Sequence, residues 1–347
     1  MRGVGRGSKF LVLDRTIWDN AWAVRTTNRM NLLTALLVLL AGTGSDHRLT
    51  KWSAKACEFY AGMGKPRAKL AIEELINAGV ISRTASSTAL FPQYQFPEPR
   101  NEDEPIFLPM QLVTGFGDET PMLRRVRECG DPLLLRMLID LYGHIQTDLT
   151  HGVPLSVLRE FDNTSDSCQK VVEVGVHAAW ALSLGNTLQA TGKWRTRHMS
   201  RGNEQQFWPR VHMLQTIGAI WFEPWVFGSD SDDAEPLFPV LAAARDDGGG
   251  PPLAFLAGST ARLLVADRPY LLSRYTDKIF VVLPVHHSPP ALRGICRLRV
   301  EADTPGRRTA FGARLSAISR WHAAYERLYA DLVVGRTDRP VRAIAVR

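Results

Sequence analysis

The chain is 347 residues long, with 45% hydrophobic and 22% charged residues, the composition of a globular protein with room for two or three domains. The longest apolar run, Leu32 to Ala41, is about half of what spans a bilayer. Four scattered cysteines without a C-x-x-C pair argue against a disulfide framework and a cysteine zinc site, and suit a cytoplasmic protein with no membrane partner.

Residues 1–30 begin with a Gly/Arg arm, Met1 to Lys9, and lead into a helical pattern from Asn31. Leu32, Leu33, Leu36, Leu37 and Leu40 recur at helix spacing until Gly42 and Gly44 stop them. A second helix is predicted from Leu49 to Tyr60, with Thr50 or Ser53 as N-cap. A third runs from Pro66, at the favoured first helical position, to about Ala78, where Gly79 ends it. Val80 to Arg83 and Leu90 to Phe96 read as two strands around a small, polar turn.

Lys65-Pro66-Arg67-Ala68-Lys69-Leu70-Ala71-Ile72-Glu73-Glu74-Leu75-Ile76-Asn77-Ala78-Gly79-Val80-Ile81 resembles the recognition helix and the start of the wing in winged helix-turn-helix proteins. The resemblance covers roughly residues 30–97. It implies three helices followed by a hairpin, with the third helix reading duplex DNA.

Pro97 to Pro105 is a proline-rich, acidic linker, placed in a linker-and-helix region over 98–130. Helices are predicted from Thr120 to Glu128 and from Asp131-Pro132 to about Ile145. Pro154 to Phe161 reads as a short helix, and Val171 to Leu184 as helix or buried strand. A basic stretch, Lys193 to Arg201, then precedes a predicted helix from Asn203 to Ile217. Gly218-Ala219-Ile220 and a strand to Phe227 follow. This order repeats that of residues 65–81, so a second winged helix is expected over 131–240. Pro209 opposes it, because an interior proline removes a helix hydrogen bond. In the competing reading the arginines pair with the acidic loop Asp230 to Glu235. Residues 241–347 are expected to form a small basic region of short strands (Ile279 to Val285, Ile295 to Val300), a helix from Thr309 to Leu332 and a basic tail. The fold class expected is therefore α+β, mostly helical, with two winged-helix units and a small basic C-terminal α/β region.

Charge points to a polyanion. Residues 1–97 hold 13 Lys+Arg against 6 Asp+Glu, residues 98–292 hold 17 against 24, and residues 293–347 hold 12 arginines against 5 acids. Two basic ends thus flank an acidic middle, as in proteins that meet nucleic acid. The candidate DNA-binding residues are Lys51, Lys55, Lys65, Arg67, Lys69 and Arg83 in the first unit. In the second they are Lys193, Arg195, Arg197, Arg201, Asn203, Gln205, Gln206 and Arg210. Lys and Arg suit guanine edges and phosphates, and Asn and Gln suit adenine. The N-terminal arm (Arg2, Arg6, Lys9) and the C-terminal arginines would add sequence-independent affinity.

Enzyme signatures are scarce. Gly62-Met63-Gly64-Lys65 lacks the earlier Gly and the following Ser/Thr of a phosphate-binding loop. His286-His287, as adjacent strand residues, would face opposite ways. The expectation is a non-catalytic, sequence-specific binder of double-stranded DNA, without cofactor or metal. Tandem winged helices resemble those of plasmid and phage replication initiators, and a transcriptional regulator of a mobile element fits equally. Host replication or transcription proteins would then be further partners. The alternative is an interaction module whose winged helices dock a protein.

Overall fold

The computed structural model describes residues 10–98, 105–146, 148–199, 204–241 and 251–337. Arg2, Arg6, Lys9, Arg201, Asn203 and the tail from 338 onward lie outside the described residues. The chain forms two compact units: residues 1–145, 192–221 and 298–308 make the first, and residues 146–191, 222–297 and 309–347 the second.

The first unit opens with β1 (Phe10–Asp14) and α1 (Arg15–Ala23). Asp14 starts the helix by accepting hydrogen bonds from the backbone N–H of Thr16 and Ile17 at 2.7 and 3.2 Å. Then come α2 (Arg29–Ala41), β2 (Leu49–Thr50), α3 (Ala54–Ala61), α4 (Lys65–Asn77), β3 (Ser82–Arg83) and β4 (Tyr94–Gln95). β5 (Pro105–Pro109), α5 (Gln111–Thr114), α6 (Met122–Glu128), α7 (Pro132–Tyr142), α8 (Gly192–Arg197) and α9 (Phe207–Thr216) complete it. β1 pairs antiparallel with β5, and β2, β4 and β3 form a small sheet in the order β2-β4-β3. Leu32, Leu33, Leu36, Leu37, Val38 and Leu39 of α2 are all fully buried. A helix apolar on every side must be surrounded, and α1, α3, α4, α6 and α7 pack around it.

The second unit holds β6 (Leu158–Phe161), β7 (Cys168–Val174), β8 (His177–Leu182), β9 (Thr187–Ala190), most of β10 (Ile220–Phe227) and β11 (Pro236–Pro239). It continues with α10 (Leu253–Leu264), α11 (Tyr270–Ser273), β12 (Ile279–Pro284), β13 (Ala291–Leu298) and most of α12 (Pro305–Thr337). The strands make a five-stranded sheet, β11-β10-β13-β6-β9, and a three-stranded one, β12-β8-β7. Ala257 and Ala261 of α10 and Ile318 and Tyr325 of α12 join Ala179, Phe238, Val281 and Leu283 in one apolar core. The Tyr325 hydroxyl accepts from the Val282 N–H at 3.3 Å and donates to its carbonyl at 3.1 Å.

The expectation of a mostly helical fold is corrected. Helix accounts for 42% and strand for 21%, in four sheets, because the segments read as short helices or left ambiguous become strands. Residues 158–161 pair with β9 and β13, and Val171 to Leu184 is covered largely by the β7–β8 hairpin. The expected second winged helix is corrected too. Residues 146–191 and 222–240, inside the range assigned to it, supply β6–β9 and β10–β11 to the second unit. The expected C-terminal α/β region is likewise no separate body, since β12 and β13 sit within those same sheets.

What repeats between the two segments is a helix stop. Gly79 and Gly218 both take positive φ, +70° and +71°, and each lets the next residue's N–H reach back past the helix end. Val80 donates to the Leu75 carbonyl at 3.0 Å, and Ala219 to that of Leu214 at 2.8 Å. This is a Schellman closure, which any helix can use. Pro209 does not break α9, because it stands in the first turn, where a missing N–H has no helical partner to lose. The second helix, predicted from Leu49, begins at Ala54: Ser53 caps it, and Leu49 and Thr50 form β2.

Candidate nucleic-acid interface

α4 buries Ala68, Ala71, Ile72 and Leu75, the i, i+3, i+4, i+7 stripe of a helix seated on a core. That seating turns Lys65, Arg67 and Lys69 outward, and all three are exposed. Lys65 and Lys69 are one turn apart and share a face. They line a groove of about 530 Å³ with Lys55 at the start of α3, Glu73 on α4, and Arg83, Ser87, Thr88 and Leu90 of the hairpin. Lys51 and Arg67 are exposed but do not line it. Among the described residues the ammonium groups of Lys55, Lys65 and Lys69 have no ion-pair or hydrogen-bond partner, whereas Arg83 is paired with Glu73. Gly64, the N-cap of α4, supplies no side-chain cap, and Pro66 has no N–H, so in the first turn only the Lys65 and Arg67 N–H groups are left without a side-chain cap.

The hairpin loop is held by its own groups. Thr84 N–H donates to the Gln93 carbonyl at 3.2 Å and Thr88 N–H to the Phe91 carbonyl at 3.2 Å. The Ser87 and Thr88 hydroxyls accept from Gln93 N–H and Phe91 N–H, each at 3.0 Å. Tyr94 anchors the base of the loop, and burial raises its phenol above the usual range.

The second basic patch is arranged differently. Arg210 is only 8% exposed. Its guanidinium donates to the Asp131 carboxylate, to Gln206 Oε1 at 3.0 Å and to the His198 carbonyl at 3.4 Å. Asp131 in turn caps α7 through the Leu133 N–H at 3.0 Å. Arg210 is therefore a packing residue that ties α9 to α7, a correction to its assignment as a DNA contact. Arg197 lies 3.2 Å from Asp19 and 3.3 Å from Asp140. Arg195 is half-buried, and Lys193, Gln205 and Gln206 are exposed. Within the second unit, Asp230 and Asp232 of the acidic loop pair with Arg293 and Arg159.

Beneath this patch lies a buried polar cluster that sequence reasoning missed. Asp140 and His198 are fully buried, with Asp140 Oδ2 3.3 Å from His198 Nε2 and 3.9 Å from Arg136 Nε. Burial, reinforced by Arg136 and Arg197, holds the His198 imidazole down at about 3, so it is neutral. Burial also raises Asp140, against the pull of Arg197 and Arg136. Arg136 stacks 4.5 Å over the Trp22 ring and donates to Asp19 at 2.9 Å. A signal exists in the sequence: Arg136 and Asp140 are the only charges in the apolar run Leu133 to Tyr142.

Among the described residues, most of the C-terminal arginines are also paired. Arg297 and Arg314 both bind Glu223, which additionally accepts from the Trp225 indole at 2.8 Å. Arg299 pairs with Glu119 at 2.9 Å, Arg307 with Glu301 at 3.0 Å and Arg308 with Asp303 at 2.9 Å. The second unit has a cavity of about 490 Å³ lined by Arg159, Asp162, Asp230, Asp232 and Arg293, but its cations face its own carboxylates.

Among the described residues no group of three or more metal-binding side chains could hold an ion. His286 and His287, expected to face opposite ways, instead follow β12 with their rings stacked at 5.2 Å. All four cysteines are free, and burial pushes the Cys57 thiol up to about 12. No described helix is long and apolar enough to cross a membrane. Compared with family models, curated proteins and solved structures, the chain shows no match.

Proposed function

We propose that the element built from α2, β2, α3, α4 and the β3–β4 hairpin is a winged helix-turn-helix that binds double-stranded DNA. One observation carries this reading: Lys55, Lys65 and Lys69, without acidic partners, converge with Arg83 on one open groove between two helices and a hairpin. A helix with free cations in its first turns suits a major groove, with the hairpin beside it over the backbone. Lys51 and Arg67 would bind further phosphates at the rim. A single element of this kind suits a regulator, whereas the likeness to replication initiators requires two.

A salt series tests it. Binding of the full chain to duplex should weaken linearly in log[salt] through counterion release. Replacing Lys55, Lys65 and Lys69 by alanine should lower the slope by roughly 0.9 for each phosphate left unneutralised. Docking to a protein is the second reading, favoured by the exposure of Phe59 and Leu70, 75% and 60%, on α3 and α4. Absence of duplex affinity at moderate salt would select it.

A further inference from the structure

At the end of the hairpin the chain exposes two large apolar side chains side by side. Leu90 is 85% exposed and Phe91 73%, although the loop that carries them is ordered by its own hydrogen bonds. Thr88 N–H to the Phe91 carbonyl and Phe91 N–H to the Thr88 hydroxyl close a tight turn. Leu90 and Phe91 therefore stand on a pre-formed tip. Most of both side chains is open to water, which costs free energy.

Leu90 also lines the groove that holds Lys55, Lys65, Lys69 and Arg83. A ligand drawn to those cations meets this apolar tip in the same encounter. The charge complementarity selects a polyanion, and the apolar surface selects one with an apolar interior. Duplex DNA combines a charged backbone with stacked bases that an inserted side chain can part.

We infer that Leu90 and Phe91 form a wedge that enters the minor groove beside the α4 site, unstacks one base step and bends the duplex. This rests on the DNA-binding reading of the same element. Lys55 and Lys65, bound to phosphates, would hold the backbone while the tip is inserted. Pyrimidine–purine steps, which unstack most readily, would be preferred at the wedge position even though no side chain there reads a base edge.

The experiment uses the full chain and duplexes that it selects from a randomised pool of about 40 base pairs, several times the span of one recognition helix. End-to-end energy transfer and position-permuted gel mobility report the bend, and 2-aminopurine placed at successive steps reports unstacking. The expected result is a bend of about 20–90°, with a severalfold rise in 2-aminopurine emission at one step. Leu90→Ser with Phe91→Ser should abolish both signals and lower affinity less than tenfold. Leu90→Met with Phe91→Leu should keep them. Both sites are exposed, so far-UV circular dichroism and Tm should match wild type in each variant. If wild type binds duplex without bending it, or the serine variant bends it as wild type does, the wedge is overturned and the DNA reading stands. If no duplex is retained from the pool, the DNA reading falls and the wedge with it.

Discussion

Arg210→Met separates a structural arginine from a DNA-reading one. The Arg210 side chain is almost enclosed and donates to Asp131, Gln206 and the His198 carbonyl. Methionine keeps much of the volume but none of the donors. Removing one partner of a fully buried ion pair costs about 3–5 kcal/mol. The Asp131 carboxylate is 33% exposed, so water replaces part of what it loses, and about 2 kcal/mol is a fairer figure. The first unit falls in the size range where each kcal/mol moves Tm by about 2–4 °C, so Tm should fall by about 4–8 °C in differential scanning calorimetry. Duplex affinity measured well below Tm should stay within about twofold, since the guanidinium faces Asp131 and not solvent. Lys69→Met, at an exposed and unpaired site, should do the reverse: unchanged Tm and weaker binding. An Arg210→Met protein with wild-type Tm and a tenfold loss of duplex affinity would refute the assignment.

Leu36→Ala, at a fully buried position of α2, should cost about 2–5 kcal/mol by denaturant titration; a loss under about 1 kcal/mol would show that α2 is not the hub of its unit. His198 has its folded pKa at about 3, below the ordinary value of 6.5, so the unfolded chain takes up a proton first as pH falls. Its contribution to stability is therefore full above pH 6.5 and is lost between there and about 3, at up to about 1.4 kcal/mol per pH unit. Asp140, raised by burial, acts oppositely: its penalty sets in as pH rises above the ordinary carboxylate value. His198→Gln should flatten the acid limb of a Tm-against-pH curve, and an unchanged limb would sink that account. In a thiol-reagent time course on native protein, exposed Cys129 should react first, while Cys57 and Cys296, both buried, stay silent until unfolding.

Much of the local structure is legible in the sequence. Leucine spacing locates α2, Pro66 and Gly79 bracket α4, and Asp131-Pro132 opens α7, because caps and periodicity act within a turn or two of chain. The exposed cations of α4 are legible for the same reason, since its apolar stripe dictates which residues face outward. Residues 154–161 and 171–184 are not, because a strand's partner lies elsewhere: β6 pairs with β9 and β13, and β8 with β12. The expected second winged helix rests on a motif that only reports how a helix ends.

Charge shows the division most clearly. Composition alone determines that both ends of the chain are basic and the middle acidic. Which of those charges are available to a partner is a tertiary matter. Arg297 meets Glu223 across 74 positions, Arg136 meets Asp19 across 117, and Arg299 meets Glu119 across 180. Periodicity and capping are decided by neighbours within a few residues, so the sequence carries them. An ion pair is decided by distance in space, so Arg210 and Lys69 look alike along the chain until the fold places Asp131 against one and solvent around the other.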